Sequence, residues 1–337
     1  MNLPFNRSKR VIAVLLLLFA AGYGSFSCGH SSAQPFPECT YDSVSNTWTP
    51  ADAALLPDTG RGALIAYGRD LFIRTSYFFG PNGKIASLSN GMNCQNCHLD
   101  AGIRSFSNCL SAAASSYPGF RPRSGKVETL IFRVNDCMQR SMNGDPIDSS
   151  SKEMQAIVAY LRWLGNAVPM KVRPIGAGLP VLAYLNRAAD TLKGKYVFES
   201  RCVRCHGANG EGQPRPDGTG YIYPPLWGNN SFNDASGMLR VSRLAGFVKY
   251  SMPFDSATHA KPSLTDEEAW DVAAFISSRP RASKTFPDDW PDIHKKPADI
   301  PAGPFADPFS AVQHKYGPFT PIDSFMKAGM KKPIMHP

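Results

Sequence analysis

Cys94-Gln95-Asn96-Cys97-His98 and Cys202-Val203-Arg204-Cys205-His206 repeat one spacing, Cys-x-x-Cys-His. Residues at i, i+3 and i+4 share one face of a helical turn, so both thiols and the imidazole reach the same group. Such thiols add to the vinyl groups of one porphyrin, and the imidazole becomes the proximal ligand of its iron. Cys94, Cys97 and His98 therefore predict one covalently bound haem c, and Cys202, Cys205 and His206 predict a second. A four-thiolate zinc site made from the two Cys-x-x-Cys pairs is the alternative. It leaves the histidine after each pair without a role.

The elements around the two motifs also repeat. The first unit has a helical pattern over Gly62–Phe79, stopped by Gly80-Pro81, then the motif, a helical stretch over Val127–Met142 and a terminal helix. That helix opens on Ser150-Ser151-Lys152-Glu153, a capping-box sequence, with Ile157, Val158, Leu161 and Leu164 on its apolar face. The second unit has a helix near Leu192–Glu199, its motif and a terminal helix opening on Thr265-Asp266-Glu267-Glu268. A helix before the haem motif, a loop over the haem and a packed terminal helix make up the small helical cytochrome c fold. The expected class is mainly α: two class I cytochrome c-like domains in tandem, at 50–170 and 189–282, with long loops. Residues 171–188 form the linker, and 283–337 a Pro-rich tail with little helical period, expected to pack extended over the domains.

Each iron needs a second axial ligand. In the second unit Met252, followed by Pro253, is the candidate, with Met238 as its rival. Superimposing Ser150 on Thr265 and Glu153 on Glu268 gives an offset of 115, which carries Met252 back to Cys137. The first haem is then expected to have His98 and Cys137 as ligands. Met138 and Met142 lie close by, which leaves His/Met ligation open, and a free buried Cys is a common core residue. Thioether ligation raises an iron's potential, so a thiolate-ligated first haem would pass electrons to a Met-ligated second one.

Cys137 sits in a cationic segment: Arg121, Arg123, Lys126, Arg133 and Arg140, against only Glu128 and Asp136. Arg133 at i−4 and Ser141 at i+4 share its helix face, and Arg140 lies near. Such arginines bind haem propionates or small oxyanions, which they recognise by planar, paired hydrogen bonds.

These segments carry a resemblance. Gly91–His98, Tyr117–Thr129, Arg133–Gly144, Tyr223–Gly228, Met252-Pro253 and Gln313-His314-Lys315 resemble the dihaem thiosulfate dehydrogenases, over most of the chain beyond its leader. The resemblance implies an oxidoreductase that joins two thiosulfates into tetrathionate, in some members reversibly. It puts His98 and Cys137 on the active haem, Arg123, Arg133 and Ser141 in the substrate pocket, and His206 and Met252 on the relay haem. Some relatives place a Lys beside the distal Met and exchange the two; here Ser251 occupies that position, which speaks against such an exchange. A non-catalytic dihaem electron shuttle is the rival reading.

The leader supports this setting. Arg7, Lys9 and Arg10 precede an apolar run over Val11–Ala21, so residues 1–27 read as an export signal and the periplasm is the expected compartment. The only expected membrane attachment is a lipid anchor at Cys28, with an ordinary soluble or uncleaved segment as the alternative. A net charge of +9 suits small anions or acidic redox partners, such as another cytochrome acting as electron acceptor, and in this compartment no nucleic acid. If Cys28 is lipidated or removed, Cys39 with Cys109 is the natural disulfide pair among the remaining thiols. His30, His259, His294, His314 and His336 are expected at the surface.

Overall fold

The computed structural model describes residues 35–330; the expected leader, Cys28, His30 and His336 lie outside them. The described chain opens with a hairpin of β1 (Thr40–Asp42) and β2 (Thr47–Thr49). Trp48 on β2 is buried, and its indole N–H donates to the Leu164 carbonyl at 2.8 Å. That bond ties the hairpin, which precedes residue 50, to the first helical unit.

The helix expected over Gly62–Phe79 is two helices, α1 (Gly60–Ile73) and α2 (Thr75–Phe79), broken at Arg74. Thr75 is buried at the break and accepts from the Cys94 N–H at 3.1 Å, so the interruption serves the first haem motif. After α3 (Ala113–Ser116), β3 (Gly119–Arg121) pairs antiparallel with β4 (Lys126–Glu128). The helix expected from Val127 therefore starts later. It is α4 (Leu130–Arg140), capped by the Thr129 hydroxyl.

The terminal helix α5 (Lys152–Gly165) is capped by Ser151 and not by Ser150, and Glu153 accepts from the Tyr67 hydroxyl at 2.9 Å instead of closing a capping box. The second unit repeats the plan with α6 (Thr191–Arg201), the short α7 (Val203–His206), β5 (Gln213–Pro214), β6 (Tyr221–Tyr223), α8 (Val241–Ser251) and α9 (Asp266–Ser278). The box Thr265/Glu268 forms as expected.

In each unit the terminal helix crosses the first helix at a glycine. A Cβ on Gly68 would lie 1.9 Å from the Ala156 carbonyl oxygen, and one on Gly194 would lie 1.9 Å from that of Asp271. The next contacts are the Cβ atoms of Tyr160 and Phe275. Both pairs, Ala156/Asp271 and Tyr160/Phe275, are 115 residues apart, so the helix crossings keep the offset although the caps differ by one residue. Gly194→Ala should lower the denaturant midpoint of the holoprotein, by about 1–3 kcal/mol for an overpacked core. In an open helix the same change would stabilise by about 1 kcal/mol. A raised midpoint would show that the close crossing carries no weight.

The stretch after residue 283 differs from the extended chain expected. It contains α10 (Ala311–Tyr316) and α11 (Thr320–Met330). Ser310 caps α10, and Gly317-Pro318 separates the two helices. Phe319 is buried, with its ring centroid 5.7 Å from Trp270 and 5.4 Å from Tyr184. His314, expected at the surface, is buried: Nδ1 lies 2.7 Å from the Ala298 carbonyl, Nε2 lies 2.9 Å from Asp307, and Phe305 stacks on its ring. His259 and His294 are exposed. No helix among the described residues is long and apolar enough to cross a membrane.

Candidate haem and substrate sites

Both haem motifs wind a turn in which the histidine N–H donates to the carbonyl of the first cysteine at 3.0 Å. The first is a 3-10 turn, Cys94–Asn96, held by reciprocal Asn93 and Asn96 side-chain bonds; the second is the α-helical α7. The histidines are oriented alike. His98 Nδ1 lies 2.7 Å from the Asn108 carbonyl, and His206 Nδ1 lies 2.8 Å from that of Pro224. A carbonyl only accepts, so Nδ1 carries the proton and Nε2 keeps the lone pair that a metal would take, a position that on His98 lies 3.4 Å from the Asn108 amide nitrogen. Burial lowers the pKa of both imidazoles, that of His98 to about 4, which keeps them neutral as a ligand must be.

The residues fit a haem. Cys202, Cys205, His206 and Met252 line one apolar cavity, walled by Phe247, Leu264 and other core side chains. Met238, the rival ligand, lines it too and is buried. The cavity reaches Met92, Asn96 and Cys97, so the two attachment motifs approach each other through it. In the first unit, burial pushes the Cys94 and Cys97 thiols up to about 11 and about 12, and nearby Cys137 adds to both shifts. Cys137 on α4 is thus near enough to the attachment thiols to act on their charge, whereas Met138 and Met142 are packed in the core.

The cations around Cys137 are of two kinds. Burial raises its thiol pKa, and Arg133, Arg123 and Arg140 pull it back. Arg133 is half-exposed and paired with Asp136, and its pKa is raised, chiefly by Cys137. Arg123 donates to the Ala235 carbonyl at 3.0 Å and lies 5.4 Å from the Trp290 ring centroid. Burial lowers its pKa, and Arg140 adds to the shift. Arg140 is not free for an anion. It is 6% exposed, pairs with Asp136, bonds Asp289 through two nitrogens at 2.7 and 2.8 Å, and lies 3.6 Å over the Phe286 ring. Arg121 packs over Tyr117, and Lys126 is exposed on β4. Ser141 donates its N–H to the Cys137 carbonyl at 2.8 Å, and its hydroxyl lies 3.3 Å from that of Ser236.

Comparison with known proteins gives the family. Residues 84–170 match the SoxA/TsdA cytochrome c domain, and residues 191–280 match the Cytochrome c family. The thiosulfate dehydrogenase of Psychrobacter arcticus is 38% identical over 242 residues, covering 72% of this chain and 71% of that protein. That of Allochromatium vinosum is 37% identical over 233 residues, covering 68% and 82%. The chain belongs to the thiosulfate dehydrogenase family. A solved structure of the thiosulfate dehydrogenase TsdBA from Marichromatium purpuratum, in its as-isolated form, superposes with a TM-score of 0.65 at 30% identity. The match covers 77% of this chain and 54% of that one.

As a thiosulfate dehydrogenase family member the chain is an oxidoreductase with two c-type haems. The sequence alone missed the carbonyls of Asn108 and Pro224 that orient the histidines, and the partners Ser236, Asp289 and Trp290 that reach the Cys137 region from the second half and the tail. Cys39 and Cys109, the expected disulfide pair, are both buried with free thiols. Each has its own partner: Cys39 Sγ accepts from the Ala51 N–H at 3.4 Å, and Cys109 Sγ lies 3.5 Å from the Ser111 hydroxyl.

Proposed function

We propose that this chain couples two thiosulfates to tetrathionate at the Cys137 side of the first haem, releasing two electrons. The arrangement that carries the proposal is Cys137 on α4 with Arg133 one turn before it and Ser141 one turn after, close enough to Arg123 and to the Cys94 and Cys97 thiols for their charges to interact. His98 and Cys137 would hold the iron of the first haem and His206 and Met252 that of the second, and each haem would supply a one-electron acceptor.

Each thiosulfate is a dianion. At 4 Å, even with an effective dielectric near 20, each pair of unit charges repels by about 4 kcal/mol. Arg123 and Arg133 offset that repulsion and hold the sulfane sulfurs in reach of one another, with Ser141 beside them. The Cys137 thiolate forms a bond to the sulfane sulfur of the first thiosulfate as two electrons leave, giving an S-sulfonated persulfide on Cys137. The sulfane sulfur of the second thiosulfate attacks the sulfur bonded to Cys137, releasing tetrathionate and the original thiolate. Charge and atoms balance once the Cys137 thiol has given its proton to solvent, and the thiolate is regenerated at the end of the cycle.

A haem held by His206 and Met252 would relay the electrons to an acceptor such as another cytochrome. The basic, apolar leader and the covalent haem chemistry favour a periplasmic protein. The test is anaerobic addition of thiosulfate to the oxidised holoprotein, followed by haem absorbance and product analysis. Expected are reduction of both haems and one tetrathionate per two thiosulfates. Haems that stay oxidised would favour the electron shuttle, and a covalent sulfur product without tetrathionate would move the chemistry to another substrate.

A further inference from the structure

Two loops meet where the halves of the molecule join, and each serves one iron ligand. The first, residues 104–108, follows His98 and ends on Asn108, whose carbonyl accepts from His98 Nδ1. The second begins where α8 ends and carries Met252. Their contact is a hydrogen bond between two buried hydroxyls: Ser251 Oγ donates to Ser107 Oγ at 2.9 Å, and the two residues are 0% and 1% exposed. Ser251 is the last residue of α8, directly before Met252, whose own N–H donates to the Val248 carbonyl.

Two further contacts flank that bond. Phe106 stacks on His259, with centroids 3.5 Å apart and planes 11° apart, and the Tyr250 ring centroid lies 4.7 Å from that of the same His259. Arg104 lies over the Phe254 ring at 4.7 Å. Phe106 and Asn108 both have positive φ, at 62° and 59°, a conformation unusual for residues with side chains and one that fixes which way this loop presents them. All three contacts join residues 104–107 to residues 250–259, on both sides of Met252.

We propose that Ser107 and Ser251 are positioning residues that lock Met252 in place over the second haem. They do so by anchoring its loop to the loop that orients His98. The proposal rests on Met252 being the distal ligand. With the lock closed, the sixth position of the second haem is held by a thioether that cannot swing away, which keeps that haem the better electron acceptor of the two. A buried hydroxyl that loses its partner stays unsatisfied, so either serine alone should matter.

The experiment compares Ser251→Ala and Ser107→Ala with wild type as oxidised holoproteins. The readouts are the long-wavelength sulfur-to-iron absorption band of a Met-ligated ferric haem, followed over temperatures below unfolding, and the potential of the second haem. Each variant should shift the ratio of Met-bound to Met-free haem by roughly tenfold towards the free form, the effect of orphaning one buried hydroxyl, and should lower the potential. Ser107→Ala is the decisive variant, because it lies in the other half of the chain. If it keeps the band and the potential while only the unfolding midpoint falls, the bond is mere packing and the proposal is overturned. Should neither serine variant fold, His259→Ala at the exposed stack replaces them and should show a smaller loss of the same kind; an unchanged band there overturns the lock. Met252→Leu is the separate control for ligation. A band that survives in Met252→Leu removes Met252 as ligand, and the lock falls with that reading.

Discussion

Cys137→Ala is expected to fold, to keep both haems attached, and to lose thiosulfate-dependent haem reduction by about a thousandfold or more, as when a reacting nucleophile is removed. Folding should survive because Cys137 is only partly buried, while its neighbours Met138 and Met142 are packed in the core. Haem attachment should survive because Cys94, Cys97 and His98 hold their turn through bonds that do not involve Cys137. The EPR spectrum of the first haem should change with the loss of the thiolate. Cys137→Ser separates the two roles: the hydroxyl restores some packing and polarity but no sulfur to accept the sulfane atom. Full turnover in Cys137→Ala would end the proposal that this sulfur takes part, and an unchanged EPR spectrum would return Met138 or Met142 to consideration as the ligand.

What could be read from the chain follows from how local each constraint is. The haem motifs are local, since covalent attachment demands a fixed spacing within one turn, and both turns form. Arg133 and Ser141 were legible for the same reason, as i−4 and i+4 neighbours of Cys137 on a helix. The repeat offset was legible only through the terminal helices. It survives although Ser151 and not Ser150 caps α5, because the crossings at Gly68 and Gly194 are what the two halves share. A glycine inside a helix pattern signals only weak propensity, so nothing marked these two as contact points. The partners of Arg140 were not legible: Asp289 is 149 residues away, in a stretch that has no sustained period. The tail helices are partly a missed signal. Ser310-Ala311-Val312-Gln313 has capping-box spacing, and the Ser310 hydroxyl does accept from the Gln313 N–H at 3.2 Å. Proline-rich surroundings hid it.

The tail therefore bears on the proposed substrate site, and Arg140 is where the effect can be measured. Its guanidinium joins Asp136 on α4 to Asp289, whose side chains are 10% and 22% exposed. Arg140→Ala leaves both carboxylates without their shared cation. Breaking a buried pair from one side costs about 3–5 kcal/mol, and the lower end is expected here because Asp136 keeps Arg133. The denaturant midpoint should fall by that amount, and the tail around Asp289 should become sensitive to protease. A second effect follows from charge. With Arg140 gone, Arg133 alone neutralises Asp136, so less positive potential remains above the Cys137 sulfur to offset two dianions. KM for thiosulfate should rise more than kcat falls, and the rise should shrink in high salt as screening replaces the missing cation. Arg140→Lys keeps the charge but not the two-nitrogen grip on Asp289. It should recover most of KM and little of the stability, because a lysine ammonium is a point charge without the planar fork. If Arg140→Ala unfolds at the wild-type midpoint, the bridge from α4 to the tail carries no weight. If its KM is unchanged, the cationic field at Cys137 is set by Arg123 and Arg133 alone.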